Sequence, residues 1–304
     1  MASKSRRTIP HSPKEWDDKM TQQSNAQYPV FVMCGRDARR RKLMEVIDPE
    51  GNYKSKALLP FLGKRLIDWQ LEALHRSPFV EGLYLIGLTE ADAAFTFPVH
   101  YVPIETVSEF ADKLTAGVDY LASLGKSPNL VVISTSDTPG IRTEDINRFF
   151  NQLTGLPGYE FVLSLVPEEL IEAEFPGSGR VVMRFRDHKL IPGELYALSP
   201  RAIRIGQDVI TGISQRRRQI NRTVRKINPS PVIRLLAKKP LMWWVILKYL
   251  AGWASLADAE RVFSRAFDCQ TKGVIIPDAG FGMDMDLPGD YERLQTYVQG
   301  MHEK

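Results

Sequence analysis

The chain has 304 residues, 43% of them hydrophobic, with 40 Lys and Arg against 36 Asp and Glu, which fills a sizeable core and excludes a disordered or fibrous protein. Its two cysteines, Cys34 and Cys269, lie far apart, which excludes a disulfide framework and the paired spacing of a zinc site and fits a reducing, cytoplasmic compartment. Residues 1–27 lack the apolar segment of a signal peptide and are expected to form a disordered tail ahead of a single domain over 28–304.

In chain order, YPVFVMC at 28–34 is short, apolar and closed by Gly35, as a buried strand requires. A basic, turn-rich loop runs to Lys56, and Leu66, Ile67, Trp69, Gln70, Leu71 and Leu74 then recur at near-helical spacing within 64–77. Strands are expected at 82–88, 99–103 and 129–135, with amphipathic helices at 108–124 and 144–153, the latter capped by Thr143. After Tyr159 three strand-like stretches, YEFVLSLV, RVVMRFRDHKLI and ELYALSP, follow one another without a long helix and predict a small antiparallel extension. A helical excursion over about 200–268, with a capped segment from Ser255 to Phe267, precedes a strand at 273–277 and a closing helix at 288–298. Alternation of strands and helices predicts an α/β fold with a doubly wound, mostly parallel sheet, in which ligands bind at the carboxyl ends of strands.

Chemistry is therefore sought at those ends. Asp137 follows the buried strand at 129–135 and stands in a forced turn, SDTPG. Asp284 and Asp286, two residues apart after the last strand, project to one side of an extended chain, where two like charges ask for a cation. The loop after the first strand supplies Gly35 for close backbone approach and Arg36, Arg39, Arg40, Arg41 and Lys42 for anions, with Lys54 and Lys56 at its far end. No Walker sequence and no Gly-x-Gly-x-x-Gly follows the first strand.

KSKALLPFLGKRLIDWQLEAL at 54–74 resembles the second half of the signature of the MobA-like NTP transferase family. SDTP at 136–139 is similar to that family's strand-end Asp-x-Pro, and MDMDLPGDYERL at 283–294 to its closing Asp-x-Asp-x-Pro-x-Asp segment, so that the likeness spans roughly 28–298. The resemblance implies a GT-A-like nucleotidyltransferase, which uses Mg²⁺ to move NMP from an NTP onto a phosphorylated small molecule, such as a sugar phosphate, a polyol phosphate or a cofactor precursor, with release of pyrophosphate. It implies Lys56, Asp137 and Asp284 as catalytic residues. Asp137, Asp284 and Asp286 are the implied metal ligands, and Gly35, Arg36, Arg39 and Lys56 the nucleotide contacts. Asp290 is implied to anchor the last helix, and Glu194, Arg225 and Lys226 to face the acceptor, with Glu194 standing where the family has Asn. The first loop reads MCGRDARRRK where the family has further glycines, so a second reading is a catalytically silent nucleotide-binding or regulatory protein on the same fold.

From Val209 to Ala257 there is no Asp or Glu, while ten Lys and Arg accumulate, and PLMWWVILKYLAGWA at 240–254 lies inside this block. The apolar run is too short to span a membrane and is interrupted by Lys248. Two readings stand: a peripheral membrane contact through 231–254, or a helical subdomain over the acceptor pocket. The block lacks the interleaved aromatic and basic motifs of RNA modules, so no nucleic-acid partner is expected.

Overall fold

A computed structural model describes residues 26–35, 42–104, 109–206 and 243–302. Strand β1 (Tyr28–Met33) lies inside an eight-stranded mixed sheet, flanked in parallel by β4 (Val80–Ile86) and β6 (Val131–Thr135). Its alternation serves two cores at once: Val30 and Val32 enter one, Phe31 the other, as the two-residue period of a strand buried on both faces dictates. Pro29, which has no N–H to donate, sits at the strand's start, where the register shifts.

The order across the sheet is β10-β7-β9-β6-β1-β4-β5, with β5 at His100–Val102, β7 at Phe161–Pro167, β9 at Lys189–Leu198 and β10 at Thr271–Ile275. A separate hairpin pairs β2 (Pro60–Phe61) with β3 (Lys64–Arg65). This is the expected α/β class with a mostly parallel sheet. The antiparallel part is more deeply built in than an extension: β9 lies between β6 and β7 and runs against both. The stretch 180–191 is divided, because only Met183–Arg184 (β8) and the start of β9 pair, around a turn at 185–188. Gly193 makes the insertion fit: a Cβ there would stand 2.4 Å from Ser164 Oγ, opposite the register shift between Leu163 and Leu165.

Among the helices, α1 (Lys42–Ile47) follows β1, and α2 (Leu66–His75) packs Leu66, Ile67, Leu71 and Leu74 into the core shared with Val30 and Val32. The opposite face is covered by α3 (Phe110–Ser123), where Gly117 permits close approach to the Phe31 ring. Helix α4 (Thr143–Thr154) starts one residue earlier than expected; Thr143 is its first residue rather than its cap, and its hydroxyl donates to Ala73 O at 3.0 Å. A short α5 (Glu168–Glu174) follows β7, and α6 (Pro200–Ile205) follows β9. Of the excursion, α7 (Trp243–Leu250) and α8 (Leu256–Phe267) are described, and Ser255 caps α8 in a capping box with Asp258, as its sequence predicts. The chain closes on α9 (Pro288–His302). Leu247, Leu250 and Trp253 are exposed, and among the described residues no helix is long and apolar enough to cross a membrane. The tail expected at 1–27, apart from residues 26 and 27, lies outside the described residues, as do Arg36, Arg39, Arg40, Arg41, Arg225 and Lys226.

Gly193→Ala tests the insertion of β9: overpacking against Ser164 and Phe281 is expected to cost roughly 1–3 kcal/mol in urea denaturation. Wild-type stability in this variant would show that β9 is not packed this tightly.

Candidate active site

β6 ends at Thr135, and the next residues are tied in place one by one. Ser136 Oγ donates to Met33 O at the end of β1, 2.8 Å away. Gln70, wholly buried on α2, donates to Ser134 Oγ at 2.5 Å and accepts from Thr138 N–H at 3.2 Å, so one amide brackets the turn on both sides. Asp137 is thereby held at the strand's carboxyl end. Its Oδ2 meets the Lys56 ammonium, while Oδ1 is buried and has no hydrogen-bond partner among the described residues.

After β10, Asp278 caps a 3-10 turn over Ala279–Gly282 by accepting from Phe281 N–H at 3.1 Å. The extended chain that follows buries Met283 and Met285 in the core and turns Asp284 and Asp286 the other way, the two-residue alternation expected from their spacing. This segment is fastened to the Asp137 turn at three points. Met285 N–H donates to Asp137 O at 2.9 Å, and Arg142 pairs with Asp278 at 2.7 Å. Gly140 and Gly280 approach so closely that a Cβ on Gly280 would stand 2.1 Å from the Gly140 carbonyl oxygen.

The result is a cluster in which one carboxylate oxygen each from Asp137, Asp284 and Asp286 lie within 4.8 Å of one another. Lys56 enters from a 3-10 turn over Lys56–Leu58, which Ser55 caps while donating to Cys34 O. Its ammonium touches Asp137, donates to Asp286 Oδ1 at 2.7 Å and donates to Met285 O at 2.5 Å. On the other side the Arg180 guanidinium binds Asp284 Oδ1 and Asp284 O, and reaches Asp290 Oδ2 at 3.2 Å. Burial, with Asp286 adding to it, pushes the Asp284 carboxyl up to about 6, and Arg180 opposes the rise. Asp290 anchors the start of α9 as expected: its Oδ2 accepts from Asp286 N–H at 3.2 Å and Leu287 N–H at 2.9 Å.

Of the residues singled out in the sequence, Lys56, Asp137, Asp284 and Asp286 are brought together. Gly35 stands at the end of β1 with φ +89°, its carbonyl accepting from the buried Lys113 ammonium at 2.6 Å. Gly87, φ +110°, is pressed against it, with room for no Cβ, and a cavity of about 360 Å³ opens alongside, lined by Gly87 to Thr89 and Tyr101 to Ile104. Glu194 lies on β9 next to Leu195, which pairs with Ser134, so it is at the site end of the sheet; its charge acts on Arg180. Sequence reasoning missed Gln70, Lys113 and Arg180. Gln70 stands among the apolar residues of its helix, which was the available signal; Lys113 and Arg180 carried none.

Three hard oxygen donors, with one buried oxygen that has no hydrogen-bond partner among the described residues, fit a divalent cation of the Mg²⁺ kind.

No protein-family model matches the chain, and no curated protein matches it. Among solved structures it is similar to a Thermus thermophilus protein described as a hypothetical transferase, at 24% identity and a TM-score of 0.65, over 87% of this chain and 99% of that one. It is also similar to a CMP:2-keto-3-deoxy-manno-octonic acid synthetase complexed with CTP, at 13% identity and a TM-score of 0.51, over 91% of this chain and 100% of that one. A third likeness is to the 4-diphosphocytidyl-2C-methyl-D-erythritol synthase of Anaerococcus prevotii, at 11% identity and a TM-score of 0.50, again over 91% and 100%. The chain has the fold of these proteins.

Asp278 makes the stability of the fold depend on pH. Burial pushes its carboxyl up to about 6, the Asp145 charge adds to this, and Arg142 opposes it. A carboxyl raised in this way binds more protons folded than unfolded between roughly pH 4 and its folded value, so its contribution is full below that window and is lost as pH rises through about 6. Asp278→Asn, which keeps an acceptor for Phe281 N–H, is expected to flatten the fall in urea-denaturation stability across that window. An identical pH slope in the variant contradicts the assignment.

Proposed function

We propose that this chain transfers a nucleoside monophosphate from an NTP to a phosphorylated small-molecule acceptor, with release of pyrophosphate, at the cluster of Asp137, Asp284 and Asp286. The observation that carries this reading is the convergence of three carboxylates on the Lys56 side of the cleft, at the carboxyl ends of parallel strands, in a fold shared with a CMP:2-keto-3-deoxy-manno-octonic acid synthetase complexed with CTP and with a 4-diphosphocytidyl-2C-methyl-D-erythritol synthase. The segments 54–74, 136–139 and 283–294, which resemble the MobA-like NTP transferase family, are the ones that deliver these residues.

In such a transfer an oxygen of the acceptor phosphate forms a bond to the α-phosphorus, and the bond to the bridging oxygen breaks, its electron pair leaving with pyrophosphate. An acceptor phosphate is already anionic at neutral pH, so the protein has to place and compensate charge rather than supply a base or a covalent nucleophile. Asp137, Asp284 and Asp286 would hold Mg²⁺, which when bound neutralises charge on the triphosphate. Lys56 directs its ammonium at Asp137, Asp286 and the Met285 carbonyl; a phosphate oxygen exchanges with one of these acceptors. Gly35, held by Lys113 and Gly87, keeps the end of β1 open to close backbone approach.

A nucleotide-binding protein without turnover is the second reading, favoured by the arginine-rich stretch that follows Gly35 in place of further glycines. Pyrophosphate release, measured with Mg²⁺, each NTP in turn and a panel of sugar and polyol phosphates, separates the two. Turnover with one NTP is expected, falling roughly 10²-fold or more in Asp137→Asn and in Lys56→Met. Nucleotide binding with no pyrophosphate from any acceptor supports the second reading, and full activity in both variants rules out this site.

A further inference from the structure

We propose that Arg180 is a positioning residue of the acidic centre, whose guanidinium holds Asp284 and the closing turn in the arrangement that receives the divalent cation. The inference rests on the metal-dependent reading above. Arg180 comes from the segment between α5 and β8, a part of the chain that contributes no carboxylate to the cluster. Two glycines in the left-handed region, Gly177 at φ +64° and Gly179 at φ +69°, flank the buried Ser178 and set the path by which the next residue enters the cleft. A turn of this kind is specific about where the following side chain begins.

The guanidinium then makes contacts that a neutralising charge alone does not need. Nη1 binds Asp284 Oδ1, Nη2 binds the main-chain carbonyl of the same residue, and Nε lies 3.2 Å from Met283 Sδ. Side chain, main chain and the preceding side chain are thus fixed by one rigid planar group. Nη2 also reaches Asp290, whose Oδ2 accepts from the N–H of Asp286 and of Leu287. Through Asp290 the same arginine sets the backbone at the second acid of the pair. A carboxylate has two oxygens and about four lone-pair sites, so acceptance from a guanidinium is compatible with cation binding by the same group.

Two effects of removing Arg180 have opposite signs. Loss of a nearby positive charge would tighten cation binding; loss of an orienting partner would weaken it, typically by 10- to 100-fold. Positioning therefore predicts weaker binding, and predicts it for Lys as well as for Met, because Lys keeps the charge and loses the fork.

The test is Mn²⁺ binding to the full chain, followed by electron paramagnetic resonance and calorimetry at fixed ionic strength, for wild type, Arg180→Lys, Arg180→Met and Asp137→Asn. Wild type is expected to bind, Asp137→Asn to lose binding, and Arg180→Lys to bind roughly 10- to 100-fold more weakly with a broadened bound-ion spectrum and a wild-type circular dichroism spectrum. Arg180→Met is expected to be at least as weak; if it does not fold, Arg180→Lys alone decides. Binding in Arg180→Lys as tight as wild type, or tighter, overturns the positioning role while leaving the metal centre standing. Absence of Mn²⁺ binding by wild type overturns the metal centre itself, and this role with it.

Discussion

Three carboxylates held within a few ångströms of one another in a largely desolvated cleft repel, and the fold has to answer that repulsion at every step of its construction. Lys56 reaches Asp137 and Asp286 from the first part of the chain, and Arg180 reaches Asp284 from the middle. The N–H groups of Asp286 and Leu287 donate to a fourth acid, Asp290, at the start of the last helix. Neither cation could do this alone, because each is committed to a different subset of the oxygens. The cluster is consequently a place where the whole sequence meets: its charges come from strand ends and turns separated by more than half the chain, and none of them is compensated until the sheet has assembled.

Much of this was legible from residue order. β1 and β6 were plain as short apolar, β-branched runs, and α2, α3, α4 and α8 as periodic ones, because each buries a face whose pattern is local. Asp137, Asp284 and Asp286 were visible for the same reason: a strand end followed by Pro or Gly, and an alternation of Met and Asp, are signals carried by neighbours in sequence. The second half of β9 was legible as a strand, but not its continuity through Pro192 and Gly193 with the end of the preceding stretch, nor its place between β6 and β7, where Gly193 fits over Ser164, a contact that no local pattern encodes.

The supporting residues were the harder part. Gln70 has the spacing of a core-facing helix residue, and nothing in the stretch 64–77 says that its amide bonds Ser134 and Thr138 on another element. Lys113 likewise looks like an ordinary lysine on an amphipathic helix, yet it is buried beneath Gly35. Arg180 follows a Gly-Ser-Gly turn in a segment otherwise read as strand. In each case the partners of the side chain lie on another element, and such contacts exist only in three dimensions.

The direction of β9 has a consequence for how this architecture diversifies. Because it runs against its neighbours, its N-terminal part lies at the end of the sheet that carries the acidic cluster, and the turn at 185–188 that leads into it overhangs the same end, fastened to the excursion through Arg186 N–H on Ala254 O and Leu256 N–H on Asp187. A loop whose two stems both enter at the cleft can gain, lose or exchange residues while β1 and β6 keep their register. One rim of the cleft is in this sense a replaceable cartridge, which can change while the acidic cluster keeps its place.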